Sequence, residues 1–329
     1  MSCSGTTRRA LMVAATGVGL AAPAIAQVSG FPNRPIRFVV PFGPGSTADA
    51  LARIVAAQAG ERLGQPLIVD NRPGAGGIIG ADIVAKAPPD GYTICLGTVA
   101  SHAVSAAMAS EPLPYDLLKD FAPLTNLVNA PNIILVNSRV PATTLPEYLA
   151  WARERGRSTF VSGGNGTTSH LVGEMLRIRH NAPLEHVPYR AFGPALADVL
   201  NGTIDMLSYQ IPATLPHVAS GALRLLAAST RERVALLRDL PTVGEQLGDR
   251  DFDFSAWFGT FCPARTPRPI LEHLNAAMQA AVNSDALRAT LPAQGLEPLG
   301  WGPDRFGEFF ASEVARWAEI VRITGVRMT

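Results

Sequence analysis

The sequence predicts an α/β fold in two lobes, each a mostly parallel sheet flanked by helices. Short β-branched runs alternate with helical repeats along nearly the whole chain, the pattern of βαβ units. The folding part is about 300 residues, long for one compact core and comfortable for two. Gly- and Pro-rich turns also recur where strands hand over to helices.

In chain order, Ile36 to Val40 reads as a strand that ends at Pro41. Phe42 to Ser46 is a turn, and Leu51, Ile54, Val55 and Leu63 recur at helical spacing until Gly64. Leu67 to Val69 is a second strand, followed by the loop Asn71–Gly77, a short helix through Ile79 and Ile83, and a strand from Tyr92 to Leu96. Right-handed crossovers are expected in such a unit. The middle repeats the theme: strand Ile133–Val136, helix Leu145–Arg155, strand Thr159–Ser162, helix Thr168–Arg179. Pro194 is placed at a helix N1 position with Gly202 just past its end. Strands Ile204–Leu207, Leu223–Ala228 and Phe258–Phe261 follow, then a helix opened by Pro269. Pro303 opens the last helix, whose Phe306, Phe310, Trp317 and Val321 form an apolar core stripe. Pro131 and the stretch Gly248–Asp253 are the expected crossings between lobes. Residues 27–130 plus 252–329 then make lobe 1, and 131–251 make lobe 2.

The first 26 residues read as a secretory signal peptide. Arg8 and Arg9 precede an uncharged run from Ala10 to Ala22, and Ala24-Ile25-Ala26 supplies the small residues of a cleavage site. The paired arginines fit either twin-arginine export or an ordinary positive start. Cleavage after Ala26 leaves 329 − 26 = 303 residues and, without Arg8 and Arg9, takes the formal charge from +1 to −1. That charge supplies no basic footprint for nucleic acid and no polybasic membrane tether. The expected location is periplasmic. Cys95 and Cys262 either pair in an oxidising compartment or stay as buried thiols. With no C-x-x-C and no His/Cys cluster, no metal and no cofactor are expected.

Two loops carry the chemistry. Pro41–Asp49 leads from a strand into a helix, so unpaired N–H groups and the positive dipole end face whatever sits above the strand tip. A carboxylate is the natural guest there. Ser46 and Asp49 also fit a capping box, which gives Asp49 a purely local role as the alternative to ligand contact. Gly163-Gly164-Asn165-Gly166 also follows a strand and opens a helix, with Thr167, Thr168 and Ser169 adding hydroxyls. The loops lack the G-K-[ST] of a P-loop and the G-x-G-x-x-G of a dinucleotide site. His170 packs under its loop or donates to a ligand oxygen. A catalytic-base role has no G-x-S-x-G elbow or paired acid to support it. Tyr189-Arg190 is either a rim contact or a packed Tyr beside a solvated Arg. Asp205 either holds loops by hydrogen bonding or touches ligand.

Several phrases together resemble one family: Arg34-Pro35-Ile36-Arg37 with the loop ending in Asp49, Asn71-Arg72-Pro73-Gly74-Ala75-Gly76-Gly77, Pro89-Asp90-Gly91-Tyr92-Thr93, Asp120-Phe121-Ala122-Pro123, Ser169-His170-Leu171, His186-Val187-Pro188-Tyr189-Arg190 and Trp257-Phe258-Gly259. From about Phe31 onward the chain is similar to the Bug receptors, the periplasmic binding proteins of tripartite tricarboxylate transporters. The resemblance implies a type II periplasmic-binding-protein (Venus flytrap) fold holding a carboxylate between its lobes through backbone N–H groups, hydroxyls and waters. Carried over by motif position, the implied ligand-binding residues are Phe42, Gly45, Ser46, Thr47, Asp49, Thr98, Ser101, Asn165, Gly166, Thr167, Thr168, His170, Tyr189 and Asp205. Two positions depart from the family pattern: Ser46 replaces a glycine in the first loop, and Ala191 replaces the glycine after Tyr-Arg.

The expected function is that of an extracytoplasmic, monomeric receptor. It captures a small di- or tricarboxylate, acidic amino acid or aromatic carboxylate, and hands it to permease subunits of a tripartite tricarboxylate-type transporter. A ligand sensor feeding a signalling kinase is the alternative, and a periplasmic hydrolase or isomerase using His170 with Asp49 or Asp205 a weaker one. No enzyme activity is expected.

Overall fold

The computed structural model describes Met1, residues 30–189 and residues 192–327; the leader reading, Arg190 and Ala191 lie outside them. β1 (Ile36–Val40) is the buried centre of the first parallel unit, flanked by β2 (Leu67–Asn71) and β3 (Thr93–Thr98). α1 (Thr47–Leu63) starts at Ser46, whose hydroxyl accepts from the Asp49 amide, and stops at Gly64 in the left-handed conformation, φ 64°. α2 (Ile78–Ala85) returns the chain to β3, after which a π-turn (Ala100–Val104) runs into α3 (Ser105–Met108).

β4 (Phe121–Asn137) is one 17-residue strand, far longer than the Ile133–Val136 segment expected. Up to Pro131 it pairs antiparallel with β9 (Ser255–Pro263) and, on its other edge, with β10 (Glu297–Trp301). From Asn132 its partners become β7 (Met206–Gln210) and β8 (Leu223–Ala228). The second sheet continues from β7 to parallel β5 (Ser158–Val161) and β6 (Leu184–His186). The parallel units are therefore present, but β4, β8, β9 and β10 run antiparallel to their neighbours, so each lobe's sheet is mixed. Ser229 ties the two connections: its hydroxyl reaches the carbonyls of Asn132 (3.0 Å) and Phe254 (2.6 Å).

The remaining helices cover these sheets. α4 (Leu145–Glu154) and α8 (Val243–Leu247) each open with a complete capping box, Thr144/Glu147 and Thr242/Glu245. α5 (Thr168–Arg179) follows β5, α6 (Phe192–Asn201) precedes β7, and α7 (Ile211–Ala219) leaves it directly. Because α6 begins at Phe192, Pro194 sits two residues inside it rather than at N1. α9 (Arg268–Val282) and α10 (Asp285–Ala293) lead to β10, and α11 (Pro303–Thr324) closes the chain.

The α11 stripe is buried as expected, with one addition. Glu313 lies within it and accepts from Trp257 Nε1 (3.0 Å), Trp317 Nε1 (2.7 Å) and Arg316 (3.0 Å). One apolar cluster runs from Val39 and Cys95 in the first lobe to Ile134, Phe160 and Met175 in the second. Cys95 and Cys262 are free and buried. They belong to different core clusters, and burial pushes both thiols up. Among the described residues no helix is long and apolar enough to cross a membrane, and no three His, Cys, Asp or Glu gather as a metal site.

Candidate functional site

The C-terminal tips of β1 and β3 in one lobe and β5 and β7 in the other meet around one cavity. Its wall is Phe42, Ser46, Thr47, Ala48, Thr98, Val99 and Ala100 with Ala256 and Phe258 on one side, and Gly163, Thr167, Thr168, Ser169, Tyr209 and Gln210 on the other. It leaves ≈ 40 Å³ for the centres of water-sized groups.

On the first side, Gly45 (φ +81°) turns its amide back onto Asp49 Oδ2 at 3.0 Å. Asp49 Oδ1 accepts from Arg53 (3.1 Å) and Asn71 (2.9 Å), and Asn71 also donates to the Phe42 carbonyl. Burial works to raise the Asp49 carboxyl; Arg53, the Gly45 amide and Asn71 more than offset it and hold it below the usual carboxylate range. Asp49 therefore braces the loop from behind and is absent from the cavity wall. The capping box is only half formed, because the carboxylate reaches Gly45 rather than the Ser46 amide.

Thr47 faces inward, its Oγ1 buried. The Tyr209 phenol meets it from across the cleft. Burial pushes that phenol up, so it stays a protonated donor, and its ring stacks on Phe192 at 3.7 Å. Behind Thr98, Ser101 Oγ accepts from the Thr98 amide (3.1 Å) and meets His102 Nδ1 (2.8 Å). Ser101 is fully buried and positions the turn without lining the cavity.

On the second side, the Thr167 hydroxyl donates to the Gly164 carbonyl (2.7 Å) and caps α5 by accepting from the His170 amide (3.3 Å). Ser169 Oγ accepts from the Gly163 amide at 3.0 Å. His170 Nδ1 accepts from the Gly166 amide (3.2 Å) while its ring stacks on His186 at 4.0 Å. Burial first, and for His170 the neighbouring imidazole, lower these rings to about 3 and about 4, so both are neutral. His170 thus holds its loop from beneath. Asn165 sits at the loop's turn. Gly166 packs on the first lobe: a Cβ there would lie 2.7 Å from Met108 Sδ.

The cap hydroxyls take the third amide of each helix, so the first two amides of α1 and α5 remain for a guest. Each helix start carries roughly half a positive charge, and among the described residues of the wall no side chain is an acid or a base other than Tyr209. The site can take an anion through neutral donors.

Of the residues expected from sequence, Phe42, Ser46, Thr47, Thr98, Thr167 and Thr168 come together on the wall. Gly45 lines an adjoining groove. Two of the expected residues lie away from the wall. Asp205 lies at the far end of β7 from Tyr209 and Gln210, bound to Ser158 Oγ (2.8 Å), the Thr159 amide (3.0 Å) and Arg155. Tyr189 points its hydroxyl at Asp198 and does not reach the wall. Tyr209, Gln210, Ala256 and Phe258 were missed. Their signal was a Tyr-Gln pair at a strand tip directly before a helix, and an i, i+2 alternation on β9.

Comparison with known proteins points one way. The sequence matches the tripartite tricarboxylate transporter family receptor over residues 51–326. BugT of Bordetella pertussis is 35% identical over 311 residues, 94% of each chain. Among solved structures, R. palustris Rpa4515 with adipate superimposes at TM-score 0.85, 34% identical, covering 90% of this chain and 98% of that one. MatC from Rhodopseudomonas palustris with bound malate superimposes at 0.81, 30% identical, covering 88% and 100%.

Proposed function

This chain belongs to the tripartite tricarboxylate transporter receptor family, and from that premise we propose that it captures a small carboxylate in the cavity between its lobes and presents it to membrane permease subunits. It acts in the periplasm as a monomer after loss of the leader at Ala26, and it binds without turning its ligand over. The observation that carries this reading is the placement of two helix starts, Thr47–Ala48 and Thr168–Ser169, on opposite sides of one cavity. Two such ends together supply about one positive charge, the complement of one carboxylate. The adipate and malate held by two relatives support the same ligand class.

In the proposed cycle, solute enters an open cleft, the amides of one lobe take it first, and rotation at the β4 and β9 crossings brings the second set onto it. Ser46, Thr47, Thr98, Thr167 and Thr168 supply hydroxyls, and Phe42 packs on the ligand's carbon skeleton. Calorimetry against a panel of carboxylates, paired with small-angle scattering, tests this. Saturating ligand is expected to shrink the radius of gyration. A protein that binds carboxylate without compaction, or binds none, would end the proposal.

A further inference from the structure

A groove adjoins the cavity, and the two spaces differ in size and lining. The inner cavity leaves ≈ 40 Å³, room for about three water-sized groups at ~10–15 Å³ each. The groove leaves ≈ 590 Å³ on the same measure. Ser46 and Thr47 line both, so one guest can occupy the two together. The inner space matches a carboxylate head and the carbon next to it. The rest of any guest of four or more carbons must lie in the groove.

The groove's far wall is one face of α7: Pro212, Leu215, Pro216 and Ala219 fall at i, i+3, i+4 and i+7, joined by Ala213. Ala50 on α1 faces it, and among the described lining residues Gln294 is the one polar side chain besides Ser46 and Thr47. A second carboxylate on the guest would find no cation among the described lining residues, while the helix starts already balance the first. Methylenes in the same place would gain about fourfold in affinity for each one buried.

We propose that the preferred guest is a monocarboxylate with an apolar tail, its head between Thr47 and Thr168 and its tail along the α7 face. This rests on the carboxylate-receptor reading and narrows it to a class unlike the dicarboxylates adipate and malate.

The test is calorimetry of the leader-free protein at pH 7.5 with hexanoate, adipate and hexanamide, which share one carbon skeleton. Hexanoate is expected to bind at least tenfold more tightly than adipate, and hexanamide at least tenfold more weakly than hexanoate. In Ala219→Lys, an exposed position on the groove face, the added ammonium is expected to shift preference toward adipate by threefold or more. Adipate binding as tightly as hexanoate in the unaltered protein would overturn the tail assignment and leave the carboxylate reading standing. Hexanamide binding as tightly as hexanoate, or no binding by any of the three, would remove the carboxylate reading and the tail with it.

Discussion

Asp205 has three partners within its own lobe: the Ser158 hydroxyl, the Thr159 amide and Arg155. Replacing it with Ala leaves the Thr159 amide without its acceptor and the buried Ser158 hydroxyl with Tyr148, a loss of about 1–3 kcal/mol. Urea melts of Asp205→Ala should show that drop, with carboxylate affinity unchanged within twofold; a tenfold affinity loss would restore the residue to the site. The buried imidazoles give a pH signature. His102, His170 and His186 are lowered in the fold to about 3, about 3 and about 4, against 6.5 when free. Between those values the unfolded chain binds more protons than the folded one, so stability present above pH 6.5 is lost as pH falls toward 4. At pH 5 each ring accounts for up to about 2 kcal/mol. Urea midpoints at pH 7.5 and 5.0 measure the difference, and equal midpoints would contradict it. At this scale the sequence exposed residue type and local role. Asp49 beside a cap was legible because its contacts with Gly45 and Arg53 are local. Tyr209 against Thr47 was not, because the pair is far apart in sequence and joined only by lobe packing.

Helix starts are the elements on which the site is built, and both depend on a single hydroxyl. Ser46→Ala and Thr167→Ala each remove a cap whose loss costs about 1 kcal/mol. Both hydroxyls also hold loop carbonyls, Gly43 for Ser46 and Gly164 for Thr167. Each variant is therefore expected to melt earlier and to bind carboxylate at least threefold more weakly. Unchanged affinity alongside a lowered midpoint would confine the caps to a structural role. α1 and α5 were readable because cap, apolar spacing and glycine stop agree. β4 was not. Pro123 and Pro131 argue against a continuous strand, and Asn126, Asn129 and Asn132 break its apolar run; the register against β9 shifts at Pro123/Thr125 and Asn126/Val128, while Asn129 and Pro131 pair with it in register. Glu313 was not legible either: nothing in the apolar spacing of α11 signals a charged residue within the stripe, yet two indoles and Arg316 satisfy it in the core.

Across the whole molecule, the lobes touch where glycines permit it. Gly295 (φ +73°) in the first lobe abuts Ile211 in the second, and a Cβ there would lie 2.6 Å from Ile211 Cδ1. Gly295→Ala strains the backbone as well as the contact. It is expected to favour the open arrangement, with affinity at least tenfold lower and a larger radius of gyration under ligand. A variant that still compacts fully would show that this contact is dispensable. The two-lobed plan was legible from length and alternation, whereas the groove between α1 and α7 was not, since its walls come from segments about 160 residues apart. The two interior thiols have a practical corollary. Cys95 and Cys262 are wholly enclosed and poorly ionised, so they resist alkylating dyes. One cysteine introduced on the surface of each half would then carry a donor–acceptor fluorophore pair without background, and the opening and shutting of single receptors could be timed as it happens.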